Sequence, residues 1–201
     1  MVVSAVVLLV AIALIGWMVA WMMAQKPVTS IQQLIHARRY ADAIAEADRQ
    51  LAKNANDSAA HLHRAEALKL LGRYDDAIDA YGRSTDPAAR EGIALCLAHL
   101  GRDLDHAKRL MEQQIAQYPQ IQEFQALALA YILLRRNERD AALRLFDDNR
   151  VLLETRFRDD YTDPDPLLAE TLTMYATLSE AAGDAERAAT LRAKATAWTS
   201  L

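Results

Sequence analysis

Tyr40-Ala41-Asp42-Ala43-Ile44 recurs as Tyr74-Asp75-Asp76-Ala77-Ile78, an offset of 34 residues at the matched Tyr, Ala and Ile. A period of that length constrains the fold more than composition does. It holds two short helices and a turn, and such a pair cannot bury its own apolar face. Neighbouring pairs must therefore stack and share one continuous core. Tyr81 follows Ala77 by four residues and falls on the same helix face. Gly72 stands just before Tyr74, where a helix needs a residue able to take the left-handed conformation.

The punctuation of the remaining chain agrees. Gly72, Gly101 and Gly183 fall where helices should stop. Asp86-Pro87 and Asp165-Pro166 read as an N-cap followed by Pro at the first helical position, where the missing N–H costs nothing. Apolar residues recur at steps of three and four, and no segment alternates with period two. The expected class is all-α, with helices over 30–37, 40–53, 57–71, 74–85, 87–100, 103–117, 120–136, 138–156, 166–182 and 184–198. Ala43, Ala65, Ala77, Ala94, Ala107, Ala130 and Ala142 should mark the places where helices approach closely. Residues 151–165 form an insertion ahead of the last pair.

On these residues the chain resembles the tetratricopeptide repeat (TPR) family. Ala65, Leu68, Gly72, Tyr74, Ala77 and Tyr81 fit its pattern best, although His61 and Arg64 stand where bulky apolar residues are usual. Weaker copies carry Ile93, Ala94, Leu97, Gly101, Leu104, Ala107 and Met111, then Leu129, Ala130, Leu133, Asn137, Ala142 and Phe146, and last Tyr175, Ala176, Gly183, Ala188 and Leu191. The resemblance implies an α-solenoid of about five helix pairs, near 30–53, 57–85, 87–117, 120–156 and 166–198. It also implies that the first helix of each pair lines a groove for a peptide or a partner helix. Carried over position by position, that groove is Leu62, Glu66 and Lys69, then Glu91, Leu95 and His99, then Phe124, Leu127, Tyr131 and Arg135. Two readings of Phe124, Leu127 and Tyr131 stand together: they face a partner, or they pack beneath the last helix pair. Ala88 and Gly92 occupy positions where chaperone-tail binders of the family carry basic residues, so that specialisation is not expected.

Residues 2–24, VVSAVVLLVAIALIGWMVAWMMA, contain one polar side chain, Ser4. As a helix they would extend about 35 Å, against a hydrocarbon core about 30 Å thick. Trp17 and Trp21 lie toward one end, as interfacial indoles do. A cleaved signal would need a basic start, a shorter core and a small residue where Met22 stands. A buried core helix would show a polar stripe. The segment therefore reads as a transmembrane anchor over 1–26, leading into a repeat domain over 27–201. The resemblance is then to a single-pass, membrane-anchored, bacterial-type member of the family. Lys26, Arg38 and Arg39 follow the span, and basic flanks stay cytoplasmic. The expected location is the inner membrane with the repeats in the cytoplasm. The free α-amine opposes that bias, and a periplasm-facing orientation remains as the alternative.

The composition excludes several activities. With 23 Lys+Arg against 27 Asp+Glu, the net charge is −4, so no nucleic-acid binding is expected. Residues 140–201 hold 12 acids and 7 bases, which is either a solvated face or a surface for a basic partner. The lone Cys96 allows neither an internal disulfide nor a four-cysteine metal site. Asp159, Asp160, Asp163 and Asp165 lack the spacing and glycine of a calcium loop. His36, His61, His63, His99 and His106 contain no i, i+4 pair. There is no phosphate loop and no nucleophile motif, so neither an enzyme nor a cofactor is expected.

The chain thus reads as a membrane-tethered adaptor or scaffold. It would bind a protein partner that is itself membrane-associated, assist assembly of a membrane complex, and touch lipid through residues 2–24. Self-association is compatible with a repeat array. The alternatives are a periplasm-facing assembly factor, of the cytochrome c maturation or secretion quality-control kind, and a structural accessory subunit of a membrane complex.

Overall fold

The computed structural model describes residues 30–118, 122–156 and 166–200. Among them every regular element is α-helical: α1 Ile31–His36, α2 Tyr40–Lys53, α3 Ser58–Leu70, α4 Tyr74–Tyr81, α5 Ala88–Leu100, α6 Leu104–Gln117, α7 Gln122–Arg135, α8 Arg139–Arg156, α9 Pro166–Ala181 and α10 Ala185–Ser200. Consecutive helices pack against each other through the first four pairs. Among the described residues no helix is long and apolar enough to cross a membrane. The anchor expected over 2–24 lies outside the described residues.

One turn geometry joins the two helices of every pair. A residue one or two positions past the first helix takes positive φ: Arg38 (60°), Gly72 (72°), Gly101 (65°), Asn137 (65°) and Gly183 (93°). The next N–H reaches back five residues to a carbonyl of the last turn. These bonds run Arg39→Leu34 (2.8 Å), Arg73→Leu68 (2.9 Å), Arg102→Leu97 (3.0 Å), Glu138→Leu133 (2.9 Å) and Asp184→Ser179 (2.9 Å). This is the Schellman closure, which satisfies carbonyls that the helix end would otherwise leave open.

At the other end of α3, the Ala60 N–H donates to Asp57 Oδ1 at 3.0 Å. Asp57→Ala should cost about 1 kcal/mol through loss of that cap, read as a lower urea midpoint with an unchanged slope.

The helix expected over 74–85 stops at Tyr81. Side chains take over the hydrogen bonding beyond it. Ser84 Oγ donates to the Ser58 carbonyl at 3.0 Å, and the Thr85 N–H donates to Ser58 Oγ at 2.9 Å. Serine and threonine compete with helix continuation in this way.

All seven alanines expected at close approaches are fully buried. Among the described residues three apolar clusters make the core. Ile31, Ile35, Ala43, Ala47 and Ala67 join α1 to α3. Leu62, Leu68, Ala77, Tyr81 and Cys96 join α3 to α5. The largest runs from α5 to α10 through Leu95, Met111, Leu127, Phe146, Leu172, Tyr175 and Trp198. Within it Phe146 meets Tyr175 edge-on at 5.6 Å, a geometry worth about 0.5–1.5 kcal/mol beyond buried area.

Candidate functional site: an ion and ring cluster on the first-helix face

Lys69 lies in the last turn of α3 and His99 in the last turn of α5. The 3.6-residue repeat of each helix turns these side chains to one side of the stack, and Tyr74 at the start of α4 comes up beside them. Tyr74 and His99 stack with centroids 4.9 Å apart and planes 8° apart. Tyr131 of α7 tilts against His99 with centroids 5.7 Å apart. Arg135, one turn further along α7, donates from Nη1 to the Tyr131 hydroxyl at 3.3 Å. Three successive first helices thus contribute to one continuous surface.

Glu170 of α9 completes the cluster. One carboxylate oxygen accepts from Lys69 Nζ, and Oε1 lies 2.9 Å from His99 Nε2, which must carry a proton to donate. The Lys69 and Glu170 side chains are only 11% and 14% exposed. Burial alone would push the Glu170 carboxyl up. The Lys69 charge, with hydrogen bonds from His99 and Lys69, overrides it and holds the group well below the usual carboxylate range. Burial likewise pulls the Lys69 ammonium down, and Glu170 more than reverses that pull. A cavity of about 420 Å³ opens beside the pair, lined by Leu70, Tyr74 and His99 on one side and by Ala169, Thr173, Arg192, Ala195 and Thr196 on the other.

A pH dependence follows. A carboxyl held low in the folded state stabilises fully above its unfolded value, and that stabilisation is lost as pH falls through the folded one. For Glu170 the window runs from 4.5 down to about 2. Glu91, whose carboxyl burial pushes up, acts with the opposite sign. Unfolding free energy should therefore fall across this window, and Glu170→Gln should flatten the slope. An unchanged slope in the variant would remove the assignment.

The sequence-derived groove residues divide. Lys69, His99, Tyr131 and Arg135 come together as described. Leu95 and Leu127 are buried in the largest core cluster with residues of α9, and Tyr131 belongs to that cluster as well. Phe124 packs against the same cluster. Leu62 is buried in the neighbouring cluster of α3 to α5. Glu66 takes a hydrogen bond from His63 Nδ1 at 2.9 Å, which raises the His63 imidazole above its ordinary value. Glu91 lies apart, in a cavity of about 280 Å³ with Phe124, Gln125, Leu168 and Thr171. Cys96 is fully buried, and burial pushes its thiol up to about 12, which suits packing rather than attack.

Sequence reasoning missed Tyr74 and Glu170 as members of this site. Glu170 had a signal: it is the only charged residue between Pro166 and Ser179. A lone acid in so apolar a helix calls for a buried cation.

No family model matches this chain, and neither does any curated protein. Solved structures resemble it in fold. MamA is 14% identical, with 85% of this chain and 94% of that one covered and a TM-score of 0.54. Cut9, from the APC/C Cut9–Hcn1 hetero-tetramer, is 11% identical with a TM-score of 0.62, covering 92% of this chain and 36% of that one. YrrB, described as a TPR protein with an unusual peptide-binding site, is 15% identical with a TM-score of 0.50, covering 84% of this chain and 82% of that one. The architecture is an all-α repeat solenoid matching the TPR fold.

Proposed function

We propose that this chain is a membrane-tethered adaptor whose first-helix face holds a helix of a protein partner. The observation that carries the reading is the Lys69–His99–Tyr131–Arg135 surface, whose Lys69 and His99 already hold Glu170 of one helix, α9. Rings with a few charges on a groove wall are what helix-in-groove recognition uses. The likeness in fold to YrrB, whose description names a peptide-binding site, supports the same reading. The tether rests on the apolar run over 2–24. Tethering would raise the effective concentration of a membrane-associated partner without new contacts. No catalytic role is proposed.

The test is extraction and co-isolation with the full chain. Alkaline carbonate should leave the protein in the membrane pellet. Mild detergent should release it with a polypeptide at fixed stoichiometry, and Arg135→Glu should weaken that association. Release by carbonate alone would contradict the tether. A chain that leaves native membranes as a lone monomer in every mild detergent would contradict the adaptor. The basic flank favours repeats on the cytoplasmic side, and a reporter fused after Leu201 that is active only when exported would reverse the orientation.

A further inference from the structure

Glu170 meets Lys69 on α3 and His99 on α5, although α9 follows α7 and α8 in the chain. In an in-line stack α9 would touch only the pair before it, since each pair meets its immediate neighbours. Here α9 also reaches α1, at the start of the array. It packs mainly on α10, α7 and α8, and in addition it reaches across the inner face to α1 and to Lys69 and His99. Ala169, Leu172 and Ala176 are buried at helical spacing with Glu170 beside them, and Met174, Tyr175 and Leu178 are buried as well. The end of the stack shows the consequence. Val151 and Leu152 on α8 are 74% and 54% exposed, the most exposed large apolar side chains among the described residues.

We propose that α9 is an internal stand-in for the partner, and that the groove opens by releasing it. This rests on the adaptor reading above and gives the partner a chemistry. The partner is a helix of about four turns with a stripe of small and apolar residues and one carboxylate in the register of Glu170. That carboxylate takes over the contacts with Lys69 and His99. In the closed chain the partner competes with α9, so its apparent affinity is reduced by the fraction of chain that is open.

The probe is a labelled synthetic peptide of residues 166–181, titrated against the full chain in mild detergent. Glu170→Gln in the chain weakens the latch while keeping the side-chain shape. That chain should bind the peptide at least about tenfold more tightly than the unaltered chain does. A peptide carrying Glu170→Gln should bind the same open chain about tenfold more weakly than the native peptide, for loss of a charge-assisted contact. A second variant guards against misfolding. Lys69→Glu with Glu170→Lys keeps an opposite-charge pair in reversed sense; it should stay closed and reject the native peptide. Equal binding by the Glu170→Gln and unaltered chains would overturn the proposal. So would indifference to the peptide's carboxylate, or formation of dimers in which α9 exchanges between copies. The titration needs no cellular partner, so its failure is distinguishable from failure of the membrane co-isolation.

Discussion

Lys69→Ala should lower the unfolding free energy by about 3–5 kcal/mol, the cost of leaving a buried carboxylate without its cation. The magnitude follows from geometry. Both side chains are largely out of water, and among the described residues His99 is the second donor to Glu170. Lys69→Met combined with Glu170→Leu should recover most of the loss or exceed it, because an apolar pair in the same space avoids desolvation. The pair therefore contributes little net stability compared with an apolar core. Its contribution is to specify where α9 lies. Urea unfolding of the two variants, followed by circular dichroism, separates these statements. A single variant that costs less than about 1 kcal/mol would place the pair among solvent-exposed bridges.

The second large effect belongs to Gly92. A Cβ at this position would lie 2.3 Å from Tyr81 Cζ and 2.5 Å from Cε2. The Tyr81 ring is 3% exposed and belongs to one buried cluster with Leu68, Ala77 and Ala89, which leaves it little room to swing aside. Gly92→Ala should cost about 1–3 kcal/mol by forcing α5 away from α4. Tyr81→Phe keeps the ring carbons and should not relieve the loss. Tyr81→Leu removes them, so a double-mutant cycle between Gly92→Ala and Tyr81→Leu should show favourable coupling of about 0.5–3 kcal/mol. Gly92 is thus small because two helices touch there, which the family pattern alone did not explain.

These two residues mark the boundary of what the sequence could convey. Local signals were strong wherever backbone chemistry is local. Gly72, Gly101 and Gly183 announced three of the five Schellman turns, and all three take positive φ. Asn137 makes the fourth turn, as a residue that tolerates the left-handed region. Arg38 makes the first, and arginine carries no such signal, since its conformation is imposed by α1 and α2 closing on Ile35, Ala43 and Ala47. The buried alanines were legible because they repeat at helical spacing. The path of α9 was not. Its apolar stripe suits either an in-line stack or the inner groove, and what separates the two is a contact between residues 101 positions apart. Side-chain pairing at that separation leaves no periodic trace. The lone charge at Glu170 was the one local hint.

The most direct measurement is a distance between spin labels at Leu71 and Thr173, both exposed, in a full chain whose buried Cys96 is replaced by Ala. With α9 lying in the groove, the contact of Lys69 with Glu170, two and three residues from the labelled positions, holds the two labels close together. With α9 continuing the stack beyond α7, they are three steps apart, about 24–30 Å. The account predicts the short distance as the dominant population. A single population at the long distance would contradict it.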